Sequence, residues 1–166
     1  MRDFGAIERE AGTLFDDWFE QTGLTEGVLA DVTPVNTLEE AQRSGRLWVA
    51  SAAEDVVVGF ALALRLGGLA HLDELDVLPS HGHHGVGSAL LRAVCSWAAQ
   101  SEYPAVTLST FRDVPWNAPF YERRGFTVGN PSKLLQDHVR LVESERQRGL
   151  RTDRRVLMAY QLPYTN

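Results

Sequence analysis

The sequence predicts an α/β (α+β) fold with a mixed, partly antiparallel sheet. Three observations predict it. Strands joined by short turns come first, from Leu47 to Leu78. A strand–helix–strand passage then runs from Leu69 to Phe111. Amphipathic helical segments precede and follow these strands.

Each element has a local cause. Phe4 to Gln21 carries Ile7, Ala11, Leu14, Phe15 and Trp18 at helical spacing, and reads as one amphipathic helix stopped by Gly23. Thr37 followed by Glu40 reads as a capping box that opens a short helix ending near Gly45. Leu47–Ala53 and Val56–Leu66 read as strands, with Glu54-Asp55 as a tight hairpin turn. The second is apolar almost throughout, as suits a central strand covered on both faces. Gly67-Gly68 turns the chain into a third strand, Leu69–Leu78, which Pro79 stops. A helix from about Gly85 to Ser101 has the core stripe Val86, Leu90, Val94 and Trp97. Ala105–Phe111 is β-prone. Trp116–Arg124 reads as a short helix ended by Gly125, and Phe126–Val128 starts another strand. A helix over Leu134–Gln147 and a strand over Arg155–Leu162 complete the chain.

Composition bounds the function. The 166 residues are expected to form one domain, 1–166, with 44% hydrophobic and 23% charged residues, ordinary for a globular protein. A formal charge of -6 argues against a nucleic-acid partner, which wants a basic face, and is compatible with a cationic substrate. Cys95 is the sole cysteine, so neither an intrachain disulfide nor a cysteine zinc cluster can form. It lies beside Val94 on the core side of its helix, where packing explains it. The apolar stretch Val56–Leu64 is too short to cross a bilayer, and the first ten residues carry five charges. A cytoplasmic protein with no membrane partner is expected.

The informative segment is Leu75-Asp76-Val77-Leu78-Pro79-Ser80-His81-Gly82-His83-His84-Gly85-Val86-Gly87-Ser88. A strand enters a glycine-bearing turn that opens into an amphipathic helix. First-turn N–H groups have no partner inside a helix, and they point outward with the positive end of its dipole. Glycines either shape such a turn or let a phosphate reach the bare backbone. A second segment follows the strand Val106–Phe111: Trp116-Asn117-Ala118-Pro119-Phe120-Tyr121-Glu122-Arg123-Arg124-Gly125-Phe126.

The first segment resembles the acyl-CoA-binding motif of the GNAT superfamily of N-acetyltransferases, Gln/Arg-x-x-Gly-x-Gly/Ala. The glycines match at Gly85 and Gly87, while the leading position falls on Gly82. The second resembles that family's later signature: an Asn, a Tyr on a short helix and a closing Gly-Phe. Two partial matches in the right order are more specific than either alone, and with their flanking strands they cover Leu47–Gly129. The resemblance implies a central mixed, mostly antiparallel sheet with helices on both faces, and acetyl-CoA as cosubstrate. Amides of His83, His84, Gly85, Val86, Gly87 and Ser88 would hold the pyrophosphate. The backbone of Val77 and Leu78 would pair with the pantetheine arm, and Asn117 would touch the cosubstrate unless it serves as a helix N-cap. The departure at Gly82 should weaken the site without abolishing it. The family's first strand would precede the first helix, and the residues before Phe4 leave no room for it: either the strand is missing or Met1 is not the natural start.

Acetyl transfer to an amine needs a route for the ammonium proton, donors for the oxyanion, and an acid for the departing thiolate. Tyr121 stays protonated at neutral pH and sits where the family places its acidic Tyr; the alternative is a Tyr packed for structure. An N–H near Val77 or Leu78 would serve the oxyanion if the strand bulges there. Glu74 is the first choice of base and Asp73 the second. Strict alternation sets Glu74 and Asp76 on one face and Leu75 and Val77 on the other; the alternative is that these acids are solvated.

Other signals point less far. His81, His83 and His84 cluster, but neither a cysteine pair nor H-E-x-x-H accompanies them, so no metal is expected. No G-K-[ST] follows the glycines, which disfavours a P-loop. The run Glu143–Arg148 reads as a solvated helix face. A non-catalytic acyl-CoA-binding module of the same fold is the rival class, yet it would need neither Tyr121 nor the strand acids. The acceptor, a small-molecule or peptide amine, is open, and sheet-edge pairing would be a route to a homodimer.

Overall fold

The computed structural model describes residues 3–129 and 136–163. Its strands are β1 (Leu47–Ser51), β2 (Val57–Leu66), β3 (Leu69–Val77), β4 (Ala105–Phe111), β5 (Thr127–Val128) and β6 (Arg155–Gln161). They form one sheet in the order β1-β2-β3-β4-β6-β5. The β3–β4 pair is parallel and the other four are antiparallel, so the sheet is mixed and mostly antiparallel as expected. The helices are α1 (Phe4–Gly12), α2 (Phe19–Thr22), α3 (Glu26–Leu29), α4 (Val35–Arg43), α5 (Val86–Gln100), α6 (Ala118–Glu122) and α7 (Gln136–Gln147). No strand precedes α1 among the described residues. No helix among them is long and apolar enough to cross a membrane.

The parallel pair needs a crossover, and α5 supplies it. Its Leu90, Leu91, Val94 and Ala98 pack on Ala61, Ala63, Leu72, Val106 and Leu108 of the sheet. On the opposite face Phe60 and Leu62 of β2 meet Ile7 of α1 and Leu38 and Ala41 of α4. That double cover explains the unbroken apolar run of β2. Residues alternating with Val106 and Leu108 face away from α5, and α7 reaches them: His138 lies against Thr107, and Glu145 against Ser109. Full burial of a leucine such as Leu62 or Leu108 contributes about 1.5–3 kcal/mol.

Several elements depart from the sequence expectation. The first helix is not continuous. After α1 the chain tightens into a 3₁₀ stretch, Thr13–Trp18, before α2. The Thr13 hydroxyl donates to the Glu10 carbonyl at 2.7 Å. In the tightened stretch Phe15 packs on Phe111 at 5.6 Å between ring centroids, and Trp18 on Trp116 at 5.3 Å. Gly23 ends α2 at φ 69°. The Thr37–Glu40 capping box is not formed. The helix opens three residues earlier, where Pro34 presents its carbonyl to the Thr37 and Leu38 amides. Glu40 instead holds the buried Arg46 at 2.6 Å. The β1–β2 link is no tight two-residue turn but a short 3₁₀ segment, Ala53–Asp55. Short α3, capped by the Thr25 hydroxyl, was not foreseen. Residues 134 and 135 of the expected Leu134–Gln147 helix lie outside the described residues.

One irregularity places the site. Leu62 pairs with Glu74, but Ala63 pairs with Leu72, so Asp73 is an extra residue in β3, a β-bulge. The residue pattern demands it. Ala70 and Leu72 face α5; under strict alternation Glu74 and Asp76 would follow them into that apolar layer. The extra residue shifts the phase, so Leu75 and Val77 pack with the α5 core and the two acids turn to the other face. Gly59, paired with Val77, lets β2 lie close. A Cβ there would stand 2.6 Å from the Asp76 carbonyl oxygen. Past the bulge β3 and β4 separate: their pairing is confined to Ala70, His71 and Leu72.

Candidate active site

The separation leaves one edge of β3 open. The Leu78 N–H donates to the Val58 carbonyl at 2.9 Å, which marks Leu78 as a hydrogen-bonded partner of β2. Antiparallel alternation then turns the backbone groups of Leu75 and Val77 away from β2, toward the gap beside β4. The Leu78 carbonyl accepts from the His81 N–H at 2.8 Å. Both Leu78 groups are thus committed, and the expectation of a free Leu78 backbone is corrected: Leu75 and Val77 offer the open edge. Leu75 was missed because the register of β3 on β2 is invisible in sequence.

Where β3 ends, the chain winds into the loop before α5. His83 adopts φ 60° and Gly85 φ 82°, both left-handed. Such alternation turns successive N–H groups toward a common concavity. The N–H groups from His83 to Ser88 donate to no described residue. A Cβ on Gly85 would meet nothing within 4 Å, so the space before it is open. A Cβ on Gly87 would make ordinary contact with Phe120 at 3.6 Å, which is close helix packing. Gly82 accepts a 3₁₀ turn, its N–H bonded to the Pro79 carbonyl at 3.0 Å. Open space, unpaired amides and the α5 dipole suit a pyrophosphate.

Tyr121 comes from α6, on the α5 side of the sheet. Its ring is buried between Phe120 and Phe126, with centroids at 5.0 and 5.7 Å. Its hydroxyl bonds to no described residue, and burial, with the charges of Asp76 and Glu74, pushes its pKa well above that of a free phenol. The phenol therefore stays a proton donor. Asn117 stands at the N-cap position of α6, but its side chain caps nothing there. Its Oδ1 accepts from the Thr110 hydroxyl at 2.6 Å, which ties α6 to β4.

The acids lie on the other face. Glu74 is half-buried, and burial raises its carboxyl well above the usual range, reinforced by the negative charges of Asp76, Asp73 and Glu8. Burial lifts Asp76 to about 7, with Glu8 adding to it. Asp73, at the bulge, keeps more of its surface in solvent; enclosure raises it too, while Arg148 draws it down. Glu8 of α1 was not foreseen. Within an amphipathic helix it looks like any solvated acid, yet its Oε2 accepts from the Thr33 N–H at 2.8 Å.

Further along that face two polar clusters lock β4 to its neighbours. Buried His71 lies 2.9 Å from the Thr107 hydroxyl, which also meets His138 at 3.3 Å. Burial lowers His71 to about 3, so it is neutral. Glu145 receives Arg155 at 3.1 and 3.2 Å. Elsewhere, His81 contacts the Ser80 hydroxyl at 3.0 Å, and no trio of His, Cys, Asp or Glu among the described residues has a metal-holding arrangement. Burial raises the Cys95 thiol to about 11, which disfavours the thiolate at neutral pH.

Comparison with known proteins identifies the family and the fold. The sequence profile of the acetyltransferase (GNAT) family matches residues 12–126. Among solved structures, the PaiA N-acetyltransferase from Thermoplasma acidophilum in complex with coenzyme A is similar at TM-score 0.66 and 14% identity, covering 96% of this chain and 91% of that one. The ribosomal-protein-S18-alanine N-acetyltransferase from Escherichia coli gives 0.59 and 15%, covering 100% and 93%. N-acetylglutamate synthase from Neisseria gonorrhoeae, complexed with coenzyme A and N-acetyl-glutamate, gives 0.68 and 14%; the match covers 99% of this chain and 34% of that longer one. At these identities the likeness is one of fold.

Proposed function

The chain belongs to the acetyltransferase (GNAT) family, and we propose that it moves an acetyl group from acetyl-CoA to the primary amine of a small molecule or peptide. One observation carries the proposal: past Leu72 the pairing of β3 with β4 stops, with Tyr121 packed on the α5 side of the sheet and Glu74 and Asp76 turned to the other. The similar structures named above include enzymes for a ribosomal-protein alanine and for N-acetylglutamate, both amine acetylations.

The residues present fit acetyl-CoA as cosubstrate. The pyrophosphate would rest on the amides from His83 to Ser88, and the pantetheine amides would pair with the open edge at Leu75 and Val77. Asn117, fixed by Thr110, would border the same groove. The Val77 N–H is the remaining main-chain candidate for the oxyanion. Glu74 draws the acceptor ammonium, takes its proton directly or through water, and leaves a lone pair for direct attack on the thioester carbon. As the C–N bond forms and the C–S bond breaks, Tyr121 gives its proton to the departing sulfur.

Calorimetric titration with acetyl-CoA, with CoA and ADP as controls, tests the cosubstrate. Acetyl-CoA should bind well above ADP. A screen of amines for thiol release then tests the reaction. Binding without release from any amine would mark a non-catalytic acyl-CoA module, and no binding would refute the proposal.

A further inference from the structure

A cation from another element is fastened to the first turn of α5. Arg124, just past α6, donates twice to the Ser88 Oγ, from Nε at 3.1 Å and from Nη2 at 2.5 Å. Its Nη1 donates to the Phe120 carbonyl at 2.7 Å. The guanidinium lies over the Phe120 ring, 3.6 Å from its centroid. That ring in turn faces Gly87, where a Cβ would meet it at 3.6 Å. Arg124 is thereby held against the turn that carries Gly87 and Ser88.

The clasp has donors to spare. Two acceptances occupy the lone pairs of Ser88 Oγ, so its own O–H is left to donate, and it donates to no described residue. Arg124 has five N–H donors and spends three of them here. No carboxylate among the described residues forms an ion pair with Arg124, Arg123 or Arg92. Arg92 follows Ser88 by four positions on α5, on the same face one turn along. Burial lowers the Arg124 pKa, and the positive charges of Arg123 and Arg92 lower it further. The loop from Pro79 to Gly87 holds neither lysine nor arginine, so any charge for an anion there must come from elsewhere in the fold. Unpaired cations at the open end of α5, in a chain of formal charge -6, suit an anion.

We propose, on the reading that acetyl-CoA is the cosubstrate, that Arg124 is a positioning residue for its pyrophosphate: it holds Ser88 Oγ by the lone pairs, turns the hydroxyl proton toward the phosphate, and adds the positive charge that the loop lacks. Ser88 then serves the anion twice, through its amide and through its hydroxyl. The amides and the α5 dipole supply partial charges, and Arg124 supplies a whole one.

Calorimetric titration of the full-length protein with CoA, at low and at high salt, tests this. Arg124→Gln keeps a donor but removes the charge, and should weaken CoA binding about tenfold at low salt. The deficit should shrink at high salt, where the charge is screened. Arg124→Lys keeps the charge and should recover part of the affinity together with its salt dependence. Ser88→Ala should weaken CoA binding several-fold, and adding Arg124→Gln to it should cost less than in the wild-type background. Ser88→Ala suits the helix and decides the case if Arg124→Gln does not fold. A deficit that is the same at both salts and that Arg124→Lys does not relieve would mark a structural clasp and overturn the proposal. Dephospho-CoA lacks the 3′-phosphate but keeps the pyrophosphate, so it should show the same deficit. A deficit that vanishes with dephospho-CoA would move Arg124 to the 3′-phosphate and overturn the assignment to the pyrophosphate. Undiminished CoA affinity in Arg124→Gln and Ser88→Ala would overturn the proposal and leave acetyl-CoA in place as cosubstrate. No binding of CoA by the wild type would overturn the cosubstrate reading, and the role of Arg124 with it.

Discussion

Leu72 and Leu75 of β3 face the same side of the sheet although three positions separate them. On a regular strand they would face opposite sides. The bulge at Asp73 reconciles them, and it sends Glu74 and Asp76 to the face opposite α5.

Replacing Tyr121 with Phe should lower turnover roughly 10²-fold. CoA affinity and melting temperature should hardly move, because the hydroxyl makes no bond to a described residue while the ring fills the core. Steady-state kinetics, calorimetry and thermal melts check the three parts. Unchanged turnover would take Tyr121 out of the reaction.

Gly85 holds φ 82° before open space. Gly85→Ala should cost about 1 kcal/mol of stability through backbone strain. Gly85→Asp adds a carboxylate to the same opening and should abolish CoA binding. Retained affinity for CoA in calorimetry would place the pyrophosphate elsewhere.

The Asp76 charge should make the protein less stable as pH rises. Its folded pKa lies near 7, above the ordinary value of 3.8, so the folded state holds a proton that the unfolded chain gives up. Stability therefore declines between about pH 4 and 7, and the whole cost is present above 7. Asp76→Asn cannot ionise. It should melt at higher temperature than the wild type at pH 8, with the two converging toward pH 4. Equal melting temperatures at pH 8 would contradict this.

Glu145 and Arg155 are a nearly buried ion pair, with side chains 9% and 15% exposed. Glu145→Ala strands the guanidinium and should cost about 3–5 kcal/mol in a denaturant titration. A loss below about 1 kcal/mol would mean that water reaches Arg155 freely.

Much of this was legible in the residues. Gly85, Gly87, Asn117 and Tyr121 announced both motifs, and the strands were found within a few residues of their ends. Even the bulge left a trace: Ala70-x-Leu72-x-x-Leu75-x-Val77 slips its apolar phase by one position. Other features left none. Glu8 matters because α1 crosses β3, a long-range contact that helical periodicity does not encode. The break after Gly12 follows from aromatic packing of Phe15 and Trp18 on residues about a hundred positions away. The committed backbone of Leu78 depends on its register with Val58.

Three residue pairs, from Ala70 to Leu72, join the β1–β3 half of the sheet to the β4–β6 half along the seam. A molecule seated beyond them would act as mortar between two panels. The joint's stiffness would then depend on what it holds. Amides on both sides of the seam should exchange hydrogen more slowly once it is filled, and loading would register as a change in mechanics before any bond is made.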